Sequence, residues 1–170
     1  MKKSSSKNIQ KPTGRPASAS DVVMTQLVLP EHTNALDSVF GGVIMSWIDI
    51  CAAISAQRHS KKIVVTASID SLHFVAPVYK GWVVNLKSRV NYVSRTSMEV
   101  GVRVDAENPR TGETFHTATA YLSFVALDSN RKPTEVDPLV LESKEDKRRF
   151  QEAKLRRETR LQTRKSLGKK

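Results

Sequence analysis

Between Gly41 and Arg58 of this 170-residue chain there is a single carboxylate, Asp49, and its neighbours on both sides are apolar or small. An unpaired carboxylate costs several kcal/mol to bury, so Asp49 requires a function, a partner or water. The paired glycines Gly41 and Gly42 open the same run, and Asn34 lies in the segment just before it. Glycines at a helix N-terminus let a ligand reach the backbone, where unpaired N–H groups and the positive end of the dipole polarise an arriving oxygen. An acid–base carboxylate beside an oxyanion site is the chemistry these residues offer. The same residues also fit a plainer role, with Gly41 and Gly42 allowing close helix packing and Asp49 tied to a backbone N–H or to another subunit. Periodicity leaves both open.

Other chemistries find no support. The chain lacks G-x-S-x-G, G-x-G-x-x-G and a phosphate loop ending in Gly-Lys-Ser/Thr. His32, His59, His73 and His116 show no metal-ligand spacing, and Cys51 is the one cysteine, so no metal site is expected. A lone cysteine and the absence of an apolar secretory core point to the cytoplasm. No run reaches the roughly 18 apolar residues of a membrane span.

The elements that must position these residues follow from the hydrophobic period. Val22 to Leu29 is β-prone and ends at Pro30. Ile44, Trp47, Ile48, Cys51, Ala52 and Ser55 recur at steps of three and four, which predicts a helix from Gly41 to about Arg58. It is apolar nearly all round and is therefore expected to be buried. The period then switches to two. Val64 to Val75, Trp82 to Val93, Met98 to Ala106 and Phe115 to Leu127 read as strands, with Asn108 to Gly112 as a turn. A hydrophobic helix needs a sheet to cover it, so the expected class is α+β, a curved antiparallel sheet around a central helix.

The formal charge of +11 sits at the ends. Residues 1–20 carry +5 and residues 144–170 carry +8, leaving −2 for residues 21–143. A nucleic-acid-binding domain would hold its cations on the folded face, so no nucleic-acid partner is expected for the core. Residues 1–20 read as a disordered basic tail, 21–142 as the folded domain and 143–170 as a basic helical extension, with Glu145/Arg149 and Glu152/Arg156 spaced for helical ion pairs.

The stretch from Asn34 through Gly41-Gly42 to Asp49 resembles the active-site signature of hotdog-fold acyl-CoA thioesterases, in the group of brain acyl-CoA hydrolase and the YciA-type enzymes. Val64 to Asp70, Phe74 to Pro77, Gly81, Ser94 to Val100, Tyr121 to Leu127 and Glu145 to Phe150 continue the resemblance in order, over about residues 22–160. It implies a hotdog fold, pairing of two chains into a continuous sheet, commonly as a trimer of dimers, and a site at the dimer interface where Asn34 of one subunit faces Asp49 of its neighbour. The implied activity is hydrolysis of acyl-CoA to a carboxylic acid and coenzyme A. Amides at Gly41 and Gly42 would polarise the thioester carbonyl, Asp49 would act as general base or as nucleophile, and Asn34 would position water or thioester. No cofactor is implied, since coenzyme A is part of the substrate. Arg95, Thr96 and Ser97, at a turn between strands, offer a cation, hydroxyls and amides to its phosphates, and Thr66 and Ser68 on one strand either line the site or pair within the sheet.

The chain departs from its relatives in two places. Phe40 stands where many have His, and Asp37 where many have Gly, Asp being among the few residues that tolerate left-handed backbone. The alternative reading is a non-enzymatic hotdog domain that binds acyl-CoA as a sensor or scaffold, its basic tails touching RNA or anionic membrane.

Overall fold

The computed structural model describes residues 14–168. Five strands form one antiparallel sheet: β2 (Val22–Leu27), β3 (Ile63–Phe74), β4 (Val83–Val93), β5 (Ser97–Glu107) and β6 (Thr114–Leu127), in the order β2-β4-β5-β6-β3. A two-stranded parallel pair joins β1 (Arg15–Pro16) to β7 (Leu139–Val140). Helix α1 (Gly41–Ser60) lies on the inner face of the sheet, and α2 (Lys144–Leu167) on the outer.

Helix α1 begins after Phe40, which supplies no side-chain cap, and stops at Lys61, whose left-handed backbone returns its N–H to the Gln57 carbonyl. Its buried residues, Ile44, Trp47, Ile48, Cys51, Ala52, Ser55, Ala56 and His59, keep the expected three-four spacing. They meet Leu86, Val100, Val102, Val104, Ala118, Ala120, Leu122 and Phe124 from three central strands. Small residues on both sides, Ala52 and Ala56 against Ala118 and Ala120, let helix and sheet approach closely. A short polar seam crosses this contact. Ser88 Oγ donates to the Cys51 carbonyl at 2.9 Å, and the Cys51 thiol donates to Ser88 Oγ at 3.2 Å. Burial pushes the Cys51 thiol above its ordinary pKa.

Three expectations need correction. Residues 14–20 are ordered: Ala17 and Ser20 are buried, the Ser20 carbonyl accepts from Ser55 Oγ, and Ser20 Oγ accepts from the Val90 N–H. Tertiary hydrogen bonds hold this segment where composition predicted disorder; residues 1–13 of the expected tail lie outside the described residues. Helix α1 is not buried all round within one chain, since Met45 is 40% and Ile50 48% exposed, and Ile69 on the inward face of β3 is exposed as well. One sheet covers one face of a helix, and the other is left open. Finally, Glu145 pairs with Arg149 as expected, but Glu152 pairs with Arg148. Arg156 is instead taken by Glu99 of β5, at 2.7 Å, with its guanidinium over the Tyr121 ring. A buried carboxylate competes better for a guanidinium than a solvated one a helical turn away.

The α2 N-terminus is a reciprocal cap. Ser143 Oγ accepts from the Asp146 N–H at 3.0 Å, and Asp146 Oδ2 accepts from the Ser143 N–H at 3.0 Å. Asp146 is desolvated, but these bonds and Arg89 outweigh the burial and hold its carboxyl below the usual range. At the far end of α1, His59 is fully buried, with Nε2 3.0 Å from the Asp137 carbonyl and Nδ1 without a partner among the described residues. The contact to a carbonyl makes Nε2 the protonated, donating nitrogen. Burial lowers the His59 pKa below its ordinary 6.5.

Two expectations follow for stability. Replacing Ser143 with Ala removes the cap and should lower unfolding free energy by about 0.5–2 kcal/mol in urea titrations. For His59 the unfolded chain takes up its proton near pH 6.5, while the folded state resists it until lower pH. Its contribution is therefore constant above that pH and is lost as pH falls below it; His59→Gln should flatten that part of the melting-temperature profile.

Candidate active site

Asp49 stands on the open face of α1, seven residues and so two turns after Gly42, which places both on the same side of the helix. Its Oδ1 accepts a hydrogen bond from Thr66 Oγ1 of β3 at 2.7 Å. Thr66 reaches the helix from a strand that is in regular register up to Thr66 itself and becomes irregular directly after it. Thr66 pairs with Phe124 and Ser68 with Ser123, leaving Ala67 as an extra residue, and a second shift lies between Ile69 and Ser71. Residues opposite each other share a face, so Thr66 lies with inward Phe124, whereas Ser68 lies with Ser123 on the outer face. Thr66 and Ser68 therefore do not line one site together, which was one of the two readings their alternation left open. Ser68 Oγ points instead to Asp70 Oδ1, at 3.4 Å.

Asn34 organises the loop ahead of α1. Its Oδ1 accepts from the Leu36 N–H at 2.9 Å, from the Ser38 N–H at 3.3 Å and from Ser38 Oγ at 3.1 Å. Among the described residues nothing accepts from its Nδ2, which keeps two donors for a ligand. The turn needs left-handed backbone at Asp37, where φ is 54°, so the Asp in place of Gly is accommodated, and its carboxylate meets Lys80 Nζ at 2.9 Å. Asn34 and Asp49 make no hydrogen bond to each other within the chain.

The glycines separate the two roles considered for them. A Cβ at Gly42 would meet nothing within 4 Å, and one at Gly41 would make ordinary contact, 3.5 Å, with the Phe74 ring. Packing inside the chain requires neither to be glycine. Both are exposed, and among the described residues no acceptor meets their N–H groups. A largely apolar cavity of about 340 Å³ opens beside Gly41, lined by Val39, Ile44, Phe74, Pro77 and Val78.

Arg95, Thr96 and Ser97 form the β4–β5 turn. Its backbone is fixed, the Thr96 carbonyl accepting from Ala126 N–H and the Arg95 carbonyl from Val136 N–H, while the exposed Arg95 side chain meets no carboxylate among the described residues. Ser97 pairs with Val125 and Val125 with Val65, so the turn lies two strands, about 10 Å, from the start of β3. The other large cavity, about 370 Å³ between α2 and the outer face, is lined by Arg89, Arg103, Arg148, Arg149 and Arg156. Each of these guanidiniums already meets a carboxylate, so the groove is not an open basic surface.

The sequence matches the model of the thioesterase superfamily over residues 36–113. It is 45% identical to YkhA of Bacillus subtilis (strain 168), an uncharacterized acyl-CoA thioester hydrolase, over 81% of this chain and 80% of that protein. The chain belongs to the acyl-CoA hydrolase group of the thioesterase superfamily. Its fold is the hotdog fold of that superfamily, the central helix α1 wrapped by the five-stranded sheet. The acyl-CoA hydrolase of Staphylococcus aureus, solved with butyryl coenzyme A, coenzyme A and coenzyme A disulfide, superimposes with a TM-score of 0.84 at 34% identity, covering 91% of this chain and 94% of that one. Structures of that hydrolase also exist with alanine in place of an asparagine, of an aspartate fifteen positions later, and of a threonine a further seventeen positions on. Asn34, Asp49 and Thr66 stand at these same intervals in this member of the group. A hexameric acyl-CoA thioesterase in its apo form matches with a TM-score of 0.84 at 40% identity, over 88% of this chain and 96% of that one.

The sequence pairs Asn34, Gly42 and Asp49 by resemblance but does not single out Thr66 as the partner of Asp49. Alternation groups Thr66 with Ser68, and a period-two pattern does not register the residue inserted between them at Ala67. Among the described residues no helix is long and apolar enough to cross a membrane.

Proposed function

We propose that the protein hydrolyses acyl-CoA thioesters to a carboxylic acid and coenzyme A, in a composite site built from two copies of the chain. The observation that carries this reading is the Asp49 carboxylate held at 2.7 Å by Thr66, with Asn34 and Thr66 at the intervals replaced in the S. aureus hydrolase. The need for two copies is geometric. Along one helix the Gly41 and Gly42 amides lie about 10–12 Å from Asp49, too far to serve a single carbonyl carbon. Two α1 helices set antiparallel would bring the amides of one to the carboxylate of the other. The exposed apolar residues of the open face, Met45 and Ile50 of α1 and Ile69 of β3, are the surface such pairing would cover, and β3, an edge strand, is free to extend the sheet. The hexameric relative supports assembly as a trimer of such dimers.

In the proposed reaction the Gly41 and Gly42 N–H groups and Asn34 Nδ2 receive the thioester oxygen as it becomes an oxyanion. Asp49 takes a proton from water, whose oxygen attacks the carbonyl carbon; the C–S bond then breaks and the thiolate leaves, to be protonated as coenzyme A. Thr66 donates to Oδ1 and so leaves Oδ2 as the basic oxygen, which favours general-base over nucleophilic use of the carboxylate. Thiolate departs readily, so no metal or organic cofactor is called on. The acyl group would enter the apolar cavity beside Gly41, and Arg95, with the Thr96 and Ser97 hydroxyls, would hold phosphate of coenzyme A. The proposed compartment is the cytoplasm, where Cys51 stays reduced.

Free-thiol release from acyl-CoAs of two to sixteen carbons tests the activity. Asp49→Ala and Asn34→Ala should each lower kcat by about 10²–10⁴-fold. Co-expressed, the two variants should recover about a quarter of wild-type turnover, because about half of the dimers are mixed and each mixed dimer carries one intact composite site of its two; no recovery would show that each site lies within one chain. Gly42→Ala should lower turnover by crowding the oxyanion while leaving the melting temperature no lower than wild type, an outcome that a packing role for Gly42 would reverse.

A further inference from the structure

Helix α2 crosses the outer face of the sheet strand by strand. Asp146 meets Arg89 of β4, and the Phe150 ring lies 4.8 Å from that of Tyr92, also on β4. Arg156 follows, with its guanidinium on Glu99 of β5 and over Tyr121 of β6. One turn later Arg160 pairs with Asp70 of β3. The helix therefore starts over β4 and ends, two turns before its last residue, on the edge strand that carries Thr66.

Asp70 occupies a particular place in that strand. It is the extra residue of the second register shift, between Ile69 and Ser71, three residues after the first at Ala67. Its carboxylate, 10% exposed, accepts from Ser68 Oγ on one oxygen and from Arg160 on the other. Ser68 is the residue directly after the first bulge. Both irregularities are thus joined to α2 through one carboxylate. A bulge removes part of the ladder directly after Thr66, so the placement of residues 67–70, and with it the hold on Thr66 at their head, depends on such side-chain ties.

We infer that Arg160 and Asp70 are positioning residues for catalysis: by fixing the double bulge of β3 from outside the sheet, they hold the Thr66 hydroxyl on the Asp49 carboxylate. The C-terminal helix is then a brace for the active site, and its Arg156 and Arg160 serve the sheet rather than a polyanion. Neither residue touches substrate, and each acts through Thr66. The remaining contacts of α2, at Asp146, Phe150 and Arg156, keep the helix docked when Arg160 is replaced. The inference rests on the proposed acyl-CoA hydrolase reading for its kinetic consequences, but not for its structural one.

Arg160→Gln and Asp70→Asn are the test, with Thr66→Ala as the background and butyryl-CoA as the probe. Each single variant should lower kcat by about tenfold with KM within about twofold, as expected when orientation and not binding is lost. Arg160→Lys, which keeps the charge, should recover part of kcat. In the Thr66→Ala background, Arg160→Gln should cause no further loss, since its effect passes through the hydroxyl already removed. Wild-type kcat in a folded Arg160→Gln variant, or the same fold loss in both backgrounds, overturns the inference. Hydrogen exchange gives an answer independent of activity. Amides of residues 66–71 should lose protection in Arg160→Gln while those of β4 and β5 keep theirs, and unchanged exchange at 66–71 would also overturn it. If wild type shows no turnover but exchange behaves as stated, the hydrolase reading fails and the brace stands.

Discussion

Helix α1 is apolar around most of its circumference, and a single five-stranded sheet covers one side of it. The covered side makes the core, where alanines on helix and strand bring the backbones together. The other side, with Met45 and Ile50 beside β3, is too apolar to be left to water at no cost. The residues with chemical character, Gly42 and Asp49, lie on that second side. A position that would be an expensive burial within one chain is thus left half open, and the proposed composite site would answer the mismatch between helix and sheet.

The second constraint is local. A regular β3 would send Thr66 and Ser68 to one face and would put Asp70 there as well. The extra residue at Ala67 sends Ser68 outward and that at Asp70 restores the alternation, so Ile69 and Leu72 again face in. The sheet loses ladder hydrogen bonds at two places, and in exchange one strand serves both of its faces: a hydroxyl for the helix inside, a carboxylate for the helix outside. Two cations of the basic C-terminal segment take their place in the same scheme, Arg156 meeting a carboxylate of β5 and Arg160 one of β3.

Most of the framework was legible in the residues. The three-four spacing of Ile44 to Ser55 and the alternation in Met98 to Ala106 located α1 and β5 to within two residues, because each element buries one face against a single core. Asp37 was read as able to replace glycine, and its φ of 54° agrees. The illegible parts share a cause, which is that tertiary contacts outbid local ones. Ser20 and Ala17 look like tail by composition, yet the sheet and α1 hold them. Arg156 has a well-spaced Glu152 and takes buried Glu99 instead. Of the site, Asn34, Gly41, Gly42 and Asp49 could be singled out, whereas the bond from Thr66 to Asp49 depends on how the helix is set against β3, which no periodicity records.

Cys51 has one more implication. Its thiol is wholly enclosed beneath α1, pushed up in pKa by burial and engaged with Ser88. Exchange with a disulfide proceeds through an accessible thiolate, and this sulfur offers neither the charge nor the path. A hydrolase whose product is itself a thiol works amid a growing pool of that thiol and its oxidised forms. With its only sulfhydryl sealed in the core, the protein cannot be capped by what it releases, and its turnover is insulated from the redox state of its own product.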